Sequence, residues 1–154
     1  MNNFLGTQEK RPEMIAYCED KFRAKFGRTF AFSPVQKGLL MDVQKSVAML
    51  DCVAGAGKTT LLLSIAMWFI RRKKVENTEG ILHYVTETQE LADDFLQRLV
   101  ELEGSDEGIF PLGFVGHASE RRSCVSREYL DIDVYLAICM SMPILSIFYT
   151  YMYT

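Results

Sequence analysis

Gly55, Gly57, Lys58 and Thr59 stand in the order that holding a polyphosphate requires. The phosphate tail of ATP carries several negative charges, which a protein can hold with inward-turned backbone N–H groups and the positive end of a helix. Glycines let the backbone come close to the phosphates and supply positive φ where the loop needs it. A lysine after the last glycine reaches the outer phosphates, and a following hydroxyl binds magnesium. This makes Gly55, Ala56, Gly57, Lys58, Thr59 and Thr60 candidate ATP-binding residues, with Thr59 as the expected Mg²⁺ ligand. The common signature places another glycine where this chain has Cys52. Cysteine is small, and that position mainly lets the chain leave the strand, so the loop can still close.

The surrounding pattern is the one such a loop needs. Residues 47–50 form a short apolar run that leads into the loop, and residues 61–70 follow as a strongly apolar stretch without a breaker, read as a buried helix. That helix ends in Arg71, Arg72, Lys73 and Lys74, read as a solvated end that complements the helix dipole. Residues 81–85 are a second strand candidate. Residues 88–102 make a second helix with Leu91, Phe95, Leu99 and Leu102 on one stripe, and residues 109–115 are a third strand candidate weakened by Pro111 and Gly113. Upstream, residues 1–12 read as a loose tail and residues 13–26 as an amphipathic helix ended by Gly27. Ser33, Pro34 and Gln36 read as a helix start with a capping box. Strand, loop, helix, strand, helix, strand is the order of a parallel sheet with crossover helices.

With the loop placed, Phe32-Ser33-Pro34-Val35-Gln36 and the stretch from Cys52 to Thr59 together resemble the start of superfamily 1 helicases. The resemblance implies that Gln36 recognises the adenine base, an alternative to its capping role. The UvrD-like branch likewise lacks the first glycine of the loop. The stretch from Tyr84 to Phe95 is similar to the next family motif, which touches the nucleic-acid backbone and makes Thr88 the expected contact with RNA or DNA. Phe114-Val115-Gly116-His117-Ala118-Ser119-Glu120-Arg121 looks like a segment of the nonsense-mediated-decay and Sen-type branch. The chain departs from the family at Glu87, where proline is usual, and at Gln89, where asparagine is usual. An acid beside a phosphate backbone repels it. No apolar run ending in Asp-Glu is present; the nearest candidate for that magnesium-holding carboxylate is Tyr129-Leu130-Asp131-Ile132-Asp133.

Composition narrows the setting. A net charge of −3 argues against nucleic-acid binding through overall positive charge, while 49% hydrophobic residues allow a real core. Cys18, Cys52, Cys124 and Cys139 are scattered, and only His83 and His117 could join them, so a zinc site is not expected and neither histidine is assigned to catalysis. The polar N-terminus carries no secretory signal, which points to the cytoplasm or nucleus. No charged residue follows Asp133. Residues 134–154 match the roughly 20 residues of a membrane helix, but a buried segment and the end of a truncated chain are open alternatives, and truncation also accounts for the missing carboxylate.

The expected fold is therefore α/β, a P-loop NTPase-type parallel sheet with flanking helices, incomplete, with an apolar C-terminal tail. It divides into an N-terminal segment (1–31), a partial helicase-like domain (32–132) and the tail (133–154). The expected function is the ATP-binding portion of a nucleic-acid helicase. The alternatives are a nucleotide-binding regulator without catalysis and a membrane-tethered small NTPase.

Overall fold

The computed structural model describes residues 7–42, 47–52, 57–77, 81–86, 88–113, 133–141 and 144–151. Its centre is a helix that is apolar on every side. Every residue from Leu61 to Ile70 is buried, within a helix (α3) that spans Lys58–Glu76. A helix hydrophobic all round must be enclosed by neighbours. A helix α1 (Arg11–Phe26) lies against α3, against α2 (Pro34–Asp42) and against α4 (Gln89–Glu103). Met14, Cys18 and Phe22 of α1 are buried with Leu40 of α2, and Ala92, Phe95, Leu99 and Leu102 of α4 complete the same core.

Several local expectations change. The N-terminal segment is not loose up to residue 12: a 3₁₀ turn at Gln8–Lys10 leads into α1, and Arg11 is fully buried, donating to the Leu40 carbonyl at 3.3 Å. Proline in the first turn of α1 suits a helix start, because its missing N–H has no intrahelical partner to lose. On α4 the buried stripe begins at Ala92, not at Leu91, which is 38% exposed. The basic run 71–74 is not a bare solvated end, since α3 continues through it to a left-handed C-cap at Asn77. Arg71 stacks over the Tyr17 ring at 4.4 Å and pairs with Glu13 at 3.2 Å, and Arg72 pairs with Glu76.

The strands are β1 (Val47–Cys52), β2 (Ile81–Thr86), β3 (Ile109–Gly113), β4 (Asp133–Ser141) and β5 (Ile144–Tyr151), in the order β1-β5-β4-β2-β3. β2 runs parallel to β3 and to β4, whereas β5 runs antiparallel to β4 and to β1. It follows that β1 points the same way as β4, β2 and β3, and β5 alone is reversed.

The expected P-loop NTPase-type parallel sheet with an apolar tail is therefore wrong in three respects. The strands pair in both directions. Most of the expected tail forms β4 and β5, which lie between β1 and β2. Finally, helices hold 75% of the residues whose side chains are described, and only Leu82, Tyr84 and Ile109 bring buried apolar side chains from strands. The described core is helix packed on helix. The physical reason lies in composition: a charge-free run rich in Tyr and Ile suits a strand covered by neighbours as well as it suits a tail.

The sheet has one end that matters for function. Because β1 and β2 point the same way, the start of α3 after β1 and the start of α4 after β2 lie at the same edge. Two strands separate β1 from β2, so at about 4.8 Å per strand the ends of β1 and β2 are roughly 14 Å apart.

Candidate phosphate site at the start of the central helix

Three helices begin near this region, and their sequences solve the problem of their first N–H groups differently. Each helix start leaves several backbone donors without an intrahelical partner. On α2 the solution is a reciprocal box: Ser33 Oγ accepts from Gln36 N–H at 3.2 Å, and Gln36 Oε1 accepts from Ser33 N–H at 2.9 Å. On α4 the Thr88 hydroxyl accepts from Leu91 N–H at 3.3 Å, with Glu90 in the first turn. The start of α3 has neither device. Its N-cap is Gly57, in the left-handed region at φ 83°, with no side-chain cap and no acid in the first turn. The Gly57 carbonyl accepts from Leu61 N–H at 3.0 Å, which begins the helix ladder.

Lys58 is the first residue of α3 and only 7% exposed. Lysine as the first helical residue adds positive charge at the positive end of the helix dipole, the end at which anions bind. Thr59 is exposed and Thr60 half-buried. The left-handed glycine, the uncapped start and the enclosed lysine fit a polyphosphate, and the exposed Thr59 hydroxyl fits one ligand of a magnesium ion. Among the described residues no group of three or more His, Cys, Asp or Glu could hold a metal.

Gln36, which the helicase resemblance pairs with this loop, lies against this helix start in the structure. Its Nε2 lies so close to Gly57 that a Cβ there would collide with it, and its Cδ would be 3.6 Å from that Cβ. The capping box and the family-implied ligand contact were rival readings of Gln36, yet they use different ends of one amide. Oε1 serves the box, because a backbone N–H can only donate to it, and this turns the NH₂ group towards the start of α3.

Glu19 escaped the sequence reading. Its carboxylate, 9% exposed, accepts from Phe32 N–H at 3.0 Å and pairs with Lys37 at 3.0 Å and with Arg23 at 2.9 Å. Burial works to raise its pKa, but the hydrogen bonds from Lys37 and Phe32 and the charges of Lys37 and Arg23 outweigh burial and hold it below the ordinary value. The Glu19–Arg23 spacing of four was legible on α1; the partners thirteen and eighteen residues away were not.

The other sequence candidates are less well placed. Gly55 and Ala56 lie outside the described residues, as do His117, Asp131 and the whole of 114–132. Thr88 caps α4 at the same sheet edge as Gly57. His83 lies within β2, in register with Phe110 and Tyr135. Asp133 is at the wrong end: it opens β4 in register with Ile81, while Met140, seven residues on, is level with Leu145 and, through it, with Cys52 at the end of β1. At about 3.3 Å per residue that puts Asp133 roughly 23 Å from the loop edge. No helix among the described residues is long and apolar enough to cross a membrane. Compared with family models, curated proteins and solved structures, the chain matches none.

Proposed function

We propose that this chain binds the phosphates of a nucleoside triphosphate, ATP by the helicase resemblance, at the start of α3. The observation that carries the reading is the combination of left-handed Gly57, a helix start without a side-chain cap, and a nearly buried Lys58. In this reading Gly57 brings the backbone close to the phosphates, and the N–H groups of Lys58, Thr59 and Thr60 donate to them. Lys58 neutralises their charge, Thr59 offers its hydroxyl to Mg²⁺, and Gln36 presents its NH₂ edge from α2. Bound Mg²⁺ would offset charge on the outer phosphates. In a helicase-type enzyme the energy of ATP would drive movement along RNA or DNA, with Thr88 at the same sheet edge as the expected contact.

One observation favours binding without turnover by this stretch of chain. The nearest acid of the expected catalytic strand, Asp133, opens β4 at the end of the sheet away from Lys58. A nucleotide-binding regulator needs no carboxylate there, whereas hydrolysis needs one to hold the metal and polarise water.

Calorimetric titration with Mg-ATP, alongside a phosphate-release assay on the same sample, separates these readings. Lys58→Ala should weaken ATP binding by about 100-fold, the scale of a lost charge-assisted contact in an enclosed site. An unchanged affinity in that variant rejects the site. Binding without phosphate release selects the regulator.

A further inference from the structure

The Ser33–Gln36 box is held from both sides by one carboxylate that does not belong to it. Glu19 of α1 takes the N–H of Phe32, the residue just before the box, and the ammonium of Lys37, the residue just after it. The box is further tied by Lys37 N–H donating to the Ser33 carbonyl at 2.9 Å. Arg23 secures the other oxygen of Glu19 at 2.9 Å and also donates from Nε to the Phe30 carbonyl at 3.0 Å, so the approach to α2 is anchored on α1 over three residues. Phe32 itself is 4% exposed and meets the Phe22 ring edge-on at 5.9 Å. The remaining freedom of the Gln36 amide is removed by its own bond to Ser33.

We infer that Glu19 is a positioning residue for the nucleotide site, bracketing the Ser33–Gln36 box so that Gln36 meets a ligand at Gly57 and Lys58 at a set height. Glu19 touches no ligand. Its effect on binding travels through α2, and α2 reaches the site through Gln36. This inference rests on the phosphate reading of α3. It adds to that reading a coupling between the N-terminal helix and the ligand.

The coupling is tested by a double-mutant cycle between two residues that serve one function, for which strong non-additivity is expected. The full chain is titrated calorimetrically with Mg-ATP and with inorganic tripolyphosphate, and thermal unfolding is recorded for every variant. Gln36→Ala should weaken ATP binding about 10-fold, the scale of one hydrogen bond to a ligand. Glu19→Ala should weaken it about five- to tenfold, and the double variant should lie within about twofold of Gln36→Ala alone. Glu19→Gln, which still accepts from Phe32 N–H, should stay within about threefold of wild type. If Glu19→Ala does not fold, Lys37→Met takes its place in the cycle, with an expected loss of about threefold that is again absent in the Gln36→Ala background.

A multiplicative double variant, or an unchanged Kd in Glu19→Ala, overturns the inference even if Tm falls, because a merely structural Glu19 lowers Tm without coupling to Gln36. If wild type binds both ATP and tripolyphosphate and the cycle is multiplicative, only the coupling fails. If it binds neither, the phosphate site fails and takes the coupling with it.

Discussion

Replacing Gly57 by alanine tests the join on which the site depends. Gly57 has φ 83° and ψ 25°, a left-handed conformation that costs a residue with a Cβ about 1–2 kcal/mol. The new methyl would also enter the space of Gln36 Nε2. That group ends a flexible side chain, so it can retreat with little steric cost, but its retreat carries Oε1 away from Ser33 N–H. A lost cap bond costs about 1 kcal/mol. The total is about 2–3 kcal/mol, and at about 2–4 °C per kcal/mol for a chain of this size Tm should fall by about 4–12 °C. Differential scanning calorimetry on the unliganded protein gives the value. Gly38→Ala is the paired control: Gly38 lies inside α2, at no positive φ, with nothing within 4 Å of an added Cβ. There alanine should raise stability by about 0.5–1 kcal/mol. If Gly57→Ala melts at or above wild type while Gly38→Ala behaves as expected, the left-handed start of α3 is wrong, and the phosphate reading loses its backbone support.

Three further outcomes can be measured directly. Thr88→Ala removes the side-chain cap of α4 and should lower urea-derived stability by about 1 kcal/mol, whereas Thr88→Ser should retain most of it. Burial pushes the Cys18 thiol up to about 12, so at pH 8 only about one molecule in 10⁴ carries the thiolate; peptide mapping after iodoacetamide should find Cys18 unlabelled in the folded protein and labelled in urea, and equal labelling in both would refute the enclosed core. The Glu19 carboxyl is held below its ordinary pKa, so the stability it contributes is complete above the ordinary carboxylate range and is lost as pH falls through its lowered folded value. Stability of Glu19→Gln against pH should therefore be flatter than wild type on the acid side, and parallel curves would show that Glu19 is not the titrating group.

Local rules carried the reading far where neighbours along the chain make the structure. Ser33, Pro34 and Gln36 announced the start of α2 and its box, and Thr88 marked the start of α4, because a cap is a contact across three residues. The breaker-free apolar run 61–70 announced a buried helix because no exposed face could be drawn on it. The same rules misjudged residues 8–12 and the stretches 133–141 and 144–151. Nothing near Arg11 in sequence shows that its guanidinium will meet the end of α2, twenty-nine residues away. An apolar run without charge is silent on what covers it, so a tail and a pair of internal strands read alike.

What the sequence by itself determined, then, is the chemistry on offer: glycine, lysine and threonine in phosphate-binding order, with caps and an apolar helix to carry them. Periodicity and capping are short-range physics and can be read along the chain. Tertiary structure alone decided that β5 runs against its neighbours, that Asp133 stands at the far end of its strand, that the Gln36 amide lies against Gly57, and that Glu19 holds Phe32 and Lys37 on either side of the box. Those are choices of register, direction and approach between segments distant in sequence. They depend on which surfaces bury one another best, a quantity that does not exist until the chain has folded.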